Sequence, residues 1–144
     1  MDRKEKRVLG IDWGSRRIGL AISDPTQTIA SPLGVIEHVS RESDAKAVLV
    51  LAESHQAEKI VIGVTYDEDH FLSPTGRSCA RFADQIRSIS EIPVVLWDEE
   101  QSTTKARQAA LEMSISRKKR SGHLDEAAAA FILQSFLDNQ NDEK

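Results

Sequence analysis

The order of apolar and turn segments predicts an α/β protein with a mixed five-stranded sheet, three antiparallel strands followed by βα units, flanked by helices. Three observations carry this prediction. Two short β-prone runs, Val8 to Trp13 (VLGIDW) and Ile18 to Ser23 (IGLAIS), are joined by a few residues including Gly14, as in an antiparallel hairpin. Two later runs, Lys59 to Val64 (KIVIGV) and Pro93 to Trp97 (PVVLW), are nearly continuously apolar, as in strands buried on both faces. Around them, apolar residues recur at helical spacing.

The elements follow in order. After the hairpin, the Asp24-Pro25 turn leads to a third strand near Ile29 to Val39, which Pro32 and Gly34 should bend or confine to an edge. From Glu42 to Ala57 the period changes, with Ala45, Val48, Leu49 and Ala52 on one helical face. The fourth strand, Lys59 to Val64, is followed by an acidic loop from Thr65 to Leu72 and a helix from Pro74 to Ser90, where a first-turn proline is tolerated. The fifth strand ends at Asp98-Glu99. Ser102 is a good N-cap for a helix to Met113. A basic loop from Ser116 to Gly122 then leads to a last helix over Leu124 to Leu137. Parallel βα crossovers bring functional residues to the carboxyl ends of strands, and Asp12 and Asp98-Glu99 fall at such ends.

A chain of 144 residues is expected to fold as one domain, over residues 1–138, with a polar, frayed tail at 139–144. The lone Cys79 excludes a disulfide framework and a cysteine-rich zinc site, and fits a reducing cytosol. The charged opening, with the next apolar run broken at Asp12 and Arg16-Arg17, is neither a signal peptide nor a membrane span. A cytoplasmic protein without membrane association is expected. Its 19 Lys and Arg against 23 Asp and Glu give a net charge of −4, hence no global attraction to nucleic acid. The distribution is uneven, because Lys105 to Arg120 holds six basic residues and one acid, Glu112.

Each acidic candidate has an ordinary structural explanation. Asp12, with Val8 and Gly10 on its own face of the strand, also reads as a turn residue beside Gly14. Asp98 and Glu99 suit a helix N-terminus, and alternation lets one of them face a shared site. Asp125 suits the start of a helix. The case lies in the combination, since Asp12, one of Asp98 and Glu99, and Asp125 converge if the last helix packs beside the sheet. Three such carboxylates repel unless protonated or neutralised by a cation, and hard oxygen ligands suit Mg²⁺ or Mn²⁺. One or two such ions would activate water and stabilise the leaving oxygen in phosphodiester cleavage. The basic run Arg117, Lys118, Lys119 and Arg120 is by default a solvated face, and beside a metal site a phosphate contact. His38, His55, His70 and His123 show no metal-binding spacing. His38 and His55 are expected to be surface or packing residues, and His123 is nearer the acids. Cys79 reads as a packing residue, and Trp13 and Trp97 as core aromatics.

The chain resembles the YqgF family of Holliday-junction-resolvase-like nucleases over nearly its whole length. Five ordered blocks carry the likeness. They are Gly10-Ile-Asp12-Trp-Gly14-Ser-Arg-Arg17-Ile-Gly19-Leu-Ala21-Ile-Ser23-Asp24, followed by Ser31-Pro32-Leu33; Ile60-Val-Ile-Gly63; Pro93-Val-Val-Leu-Trp-Asp98-Glu99 with Ser102-Thr103; Ala106-Arg107; and Ser116-Arg-Lys-Lys-Arg120, Gly122 and Asp125 leading into Ala127-Ala-Ala-Ala-Phe-Ile-Leu-Gln134-Ser-Phe-Leu-Asp138. The resemblance implies an RNase H-like fold and a metal-dependent nuclease acting in 5′-end maturation of precursor 16S ribosomal RNA, a Holliday-junction role being the older analogy. It maps the family's acids onto Asp12, Glu99 and Asp125, as ligands of Mg²⁺ or Mn²⁺. Arg17, Arg117, Lys118, Lys119 and Arg120 are then expected to hold the nucleic-acid backbone of precursor 16S rRNA or branched DNA, in a monomer or weak homodimer. A non-catalytic nucleic-acid-binding or ribosome-assembly factor is the alternative on the same fold. Two positions depart from the family pattern. Glu100 stands where the family has Arg, and the acidic stretch Val64 to Phe71 replaces a loop with Pro and Gly.

Overall fold

A computed structural model describes residues 6–99 and 125–142. The predicted helix from Ser102 to Met113, Glu100, and the basic run Arg117 to Arg120 lie outside the described residues. The remaining elements appear in the expected order. They are β1 (Arg7–Trp13), β2 (Arg17–Ser23), β3 (Ala30–Glu37), α1 (Arg41–Ser54), β4 (Ala57–Val64), α2 (Pro74–Ile89), β5 (Val94–Asp98) and α3 (Asp125–Asp142).

The strands form one mixed five-stranded sheet in the order β3-β2-β1-β4-β5. β1, β2 and β3 pair antiparallel, whereas β1, β4 and β5 run parallel. The carboxyl ends of β1, β4 and β5 therefore meet along one edge of the sheet. β3 is the edge strand that Pro32 suggested. Its register against β2 slips by one residue between the Leu20–Gly34 and Ala21–Pro32 pairs, a bulge that absorbs Leu33. The turn before it is built on Asp24, whose Oδ1 accepts the backbone N–H of Thr28 (2.8 Å) and Ile29 (2.9 Å). The Ile29 N–H foremost, then the Thr26 hydroxyl, hold the Asp24 carboxyl well below the usual carboxylate range.

Alternation along the strands divides the interior into two layers. Leu9 and Ile11 of β1, Ile18, Leu20 and Ile22 of β2, and Ile60, Ile62 and Val64 of β4 pack under α1 and α2. Val8, Ala21 and Val61 face the opposite side and meet Ala129, Ala130, Ile132, Leu133, Phe136 and Leu137 of α3. Trp13 and Trp97 are both partly buried against these layers, one on each side of the sheet. Trp97 stacks edge-to-face on Phe136 and donates through Nε1 to Ser135 Oγ (3.0 Å). Buried Cys79 packs in the first layer, as read from the sequence.

Two helix boundaries differ from the sequence reading. α1 stops at Ser54 rather than Ala57, because Gln56 takes a left-handed backbone (φ 57°) and Ala57 already pairs with Arg7 in the sheet. α3 continues to Asp142, through much of the stretch expected to fray. Gln140 Nε2 donates to Gln27 Oε1 (2.9 Å) and Asn141 Nδ2 to the Gln27 carbonyl (3.2 Å), giving the polar end partners in the β2–β3 turn. Higher on the same helix, Gln134 accepts the Ala30 N–H (2.9 Å) and donates to the Thr28 carbonyl (2.8 Å), at the start of the edge strand.

The close seating of α3 depends on bare backbone beneath it. A Cβ on Gly19 would lie 2.0 Å from the Asp125 carbonyl oxygen, and one on Gly10 would lie 2.7 Å from Leu133 Cβ. Gly19→Ala must therefore lift the amino end of α3 from the sheet. A loss of about 1–3 kcal/mol is expected, typical of overpacking, and urea unfolding of the two proteins measures it.

Candidate active site

Asp12 lies one residue before the end of β1, on the α3 side of the sheet, and its position is set by what flanks it. On β2 its antiparallel partner is Gly19, against which the first residue of α3, Asp125, is seated. On β4 the pairing Ile11–Ile62 brings Gly63 to the next level, beside Asp12. A Cβ on Gly63 would stand 2.8 Å from Glu99 Oε1 and 2.6 Å from Ile132 Cδ1. Both neighbours of Asp12 thus lack side chains, and the space left free on each side is taken by another acid.

Of the Asp98-Glu99 pair, Glu99 is the one turned toward α3. Val94 and Leu96 pack toward α1 and α2, whereas Val95 and Trp97 pack on the α3 side, and Glu99 continues the latter series over Gly63. The Asp12 carboxyl registers this surrounding. Burial first, and then the charges of Glu99 and Asp125, push its pKa up to about 7 from 3.8. Asp125 is also paired with Arg17, whose Nε lies 3.1 Å from Asp125 Oδ2. Arg17 and Asp125 are respectively 52% and 28% exposed at the side chain, so this is a solvated pair at the rim.

The three acids therefore face one region without enclosing it. Among the described residues, no three carboxylate, imidazole or thiol groups stand as a closed ligand set. The donor chemistry still suits a hard divalent cation, since every group is a carboxylate and their repulsion is already expressed in Asp12. Beneath the site Cys79 feels the same field, and burial, with Asp12 and Glu99 adding to it, pushes its thiol up to about 12.

Two features escaped the sequence reading. Gly19 and Gly63 were part of the motifs without a role, although a glycine inside an apolar strand signals close approach of another group. His38, expected at the surface or in packing, is tied to buried Asp44 through its Nδ1 and stacks edge-to-face with Trp13 at 6.3 Å.

A family model described as "RuvX: Holliday junction resolvase" matches residues 6–139. The chain belongs to this family. RuvX and YqgF name one family, so the resemblance seen in the motifs holds. A RuvX relative from Roseiflexus sp. (strain RS-1) is 36% identical over 140 residues, 97% of this chain and 99% of its own length. Another, from Caldanaerobacter subterraneus subsp. tengcongensis, is 38% identical over 135 residues, 93% and 97% of the two chains. Both bear the name "Putative pre-16S rRNA nuclease". Among solved structures, T. thermophilus RuvC in complex with a Holliday junction substrate matches with a TM-score of 0.62 at 15% identity, over 94% of this chain and 96% of that one. The fowlpox virus resolvase bound to Holliday junction DNA matches with a TM-score of 0.56 at 13% identity, over 93% and 98%. These likenesses bear out the RNase H-like fold expected from the motifs. No described helix is long and apolar enough to cross a membrane.

Two outcomes follow from the electrostatics. Folded Asp12 keeps its proton to about pH 7, whereas an unfolded chain releases it near 3.8. Between these values the folded state binds more protons, so stability falls as pH rises through that window and levels off above it. Asp12→Asn removes the penalty. It should match wild type near pH 3 and exceed it at pH 8 by about 1–3 kcal/mol in urea unfolding. Cys79 should resist iodoacetamide in the native protein at pH 8 and react only once the chain is unfolded, as read by mass spectrometry.

Proposed function

We propose that this chain is a metal-dependent nuclease that hydrolyses phosphodiester bonds in a nucleic acid, and that it acts in 5′-end processing of precursor 16S rRNA in the cytoplasm as a single-domain monomer or weak homodimer. The observation that carries the reading is the placement of Glu99 over Gly63 and of Asp125 against Gly19, on either side of Asp12 at the carboxyl edge of the parallel strands, where burial and then these two charges raise the Asp12 carboxyl. Such an arrangement is unfavourable for folding alone and becomes favourable beside a cation. Membership of RuvX supports nuclease chemistry, and the name shared by the relatives supports the ribosomal precursor as substrate.

In this reading Asp12, Glu99 and Asp125 hold Mg²⁺ or Mn²⁺. When bound, the metal lowers the pKa of a coordinated water and stabilises charge on the phosphate and the leaving oxygen. The residues of the chain do the rest. Asp12 would hold such a cation as the carboxylate, its proton passing to solvent. Arg17, paired with Asp125, orients that carboxylate and offers its remaining guanidinium N–H groups to a phosphate oxygen. Gly63 and Gly19 keep the carboxylates close without intervening side chains. Arg117, Lys118, Lys119 and Arg120 belong to the same reading as contacts to the nucleic-acid backbone. The family description keeps branched DNA in view as a second substrate.

The test is cleavage of an end-labelled RNA spanning the 5′ region of precursor 16S rRNA, beside a labelled four-way DNA junction, with Mg²⁺, Mn²⁺ or EDTA. Wild type should cleave the RNA only with metal. Asp12→Asn, Glu99→Gln and Asp125→Asn should each lower the rate by about 100-fold or more. Cleavage of the junction alone would move the assignment to branched DNA. Metal-independent binding without cleavage of either substrate would make the protein a binding factor.

A further inference from the structure

The side of the acidic site formed by the β1–β2 turn and the end of β3 holds an open cleft of about 400 Å³, lined by Ser15, Arg16, Arg17, Glu37 and His38. Arg17 joins it to the acids through Asp125. The cleft is rich in donors, with two guanidinium groups, a hydroxyl and an imidazole. Glu37 is an acid on its wall, and as the cross-strand partner of Arg17 it is exposed.

His38 in this cleft is held from three directions. Its backbone N–H donates to the Arg16 carbonyl (2.8 Å), tying the end of β3 to the turn. Its ring lies edge-on to Trp13 at 6.3 Å. Its Nδ1 is hydrogen-bonded to Asp44 Oδ2, and Asp44 is 2% exposed, with Oδ1 accepting the Val39 N–H (3.0 Å). A buried carboxylate with both oxygens occupied fixes the ring, and the Nδ1 bond leaves Nε2 as the ring nitrogen available to a ligand. The ring is 31% exposed, open enough to be reached.

We infer that this cleft is a subsite for a backbone phosphate of the nucleic-acid substrate outside the scissile position, with Arg16 and His38 as its contacts and Asp44 as the residue that positions His38. The inference rests on the nuclease reading for its ligand and adds to Arg17 a second, independently built grip beside it. With Nδ1–H donated to Asp44, Nε2 carries a proton only in the imidazolium form, and it is that form of the ring that gives a phosphate oxygen a charge-assisted hydrogen bond. Arg16 meets the same phosphate through its fork of N–H groups. Two positioned donors against one phosphate set the register of the strand relative to the acids without reading a base.

The experiment measures binding of a fluorescein-labelled RNA hairpin with a single-stranded 5′ flank by anisotropy, in EDTA so that cleavage cannot intervene, over a range of KCl concentrations. His38→Ala should weaken binding roughly tenfold, and His38→Gln, which keeps a side-chain donor, should recover part of the loss. Arg16→Gln should weaken binding and also lower the slope of log K against log salt by about 0.7–0.9, the release of one phosphate contact. Glu37→Gln should tighten binding. Thermal melts of every variant identify the folded ones. Asp44→Asn is read only if its melt is intact, and His38→Ala with His38→Gln decide the matter if it is not. Wild-type affinity and salt slope in folded His38→Ala and Arg16→Gln would overturn the subsite and leave the nuclease reading untouched. Failure of wild type to bind the hairpin, or an equally labelled four-way DNA junction, would overturn both.

Discussion

Asp12 is a carboxylate inside a sheet whose two neighbouring strands carry no side chain at its level, and the arrangement around it depends on that constraint. Gly19 on one side admits the backbone of Asp125, and Gly63 on the other admits the carboxylate of Glu99. Any larger residue at either position would separate the acids by the thickness of a side chain. Two residues with no side chain of their own therefore let the neighbouring acids add to burial in raising the Asp12 carboxyl and, beneath it, the Cys79 thiol.

The two layers of the interior have different tasks. The layer under α1 and α2 is built of large aliphatic groups with Phe82 and supplies ordinary hydrophobic stability. The layer under α3 is shallower, with Ala21, Ala129 and Ala130 and the bare backbone of Gly10 and Gly19, and it exchanges buried volume for proximity. Proximity brings Asp125 to the sheet, and the Arg17 pair keeps that carboxylate from adding its full charge to the site. On the opposite face, Trp13 Nε1 is buried without an acceptor among the described residues, a local penalty at the end of the strand that carries Asp12.

Much of this was legible from residue order. The five strands, their antiparallel start and the parallel βα units were readable because apolar period and turn chemistry are local signals. Asp12 and Asp125 were readable as a strand end and a helix start, and Glu99 was identified through the family motif. The choice of Glu99 over Asp98 follows in the fold from alternation along β5. What stayed hidden was non-local. The extension of α3 past Leu137 depends on Gln27, 113 residues before Gln140, and no local pattern announces that partner. The tie between His38 and Asp44 crosses the β3–α1 turn, where a short separation of 6 residues says nothing about whether the chain folds back on itself. The early end of α1 likewise reflects the need of Ala57 to join the sheet.

The anchoring of α3 at both ends makes the helix a phase-locked rod. Its 18 residues span ~27 Å, with Asp125 at one end and the Gln27 clasp at the other. Each residue of an α-helix advances the azimuth by ~100°. A single inserted or deleted residue between the Gln134 clamp and Asp125 would leave the far end clasped and swing the carboxylate away from the sheet. Sequence along this rod can vary in chemistry wherever it faces solvent, but its residue count is geometrically quantised.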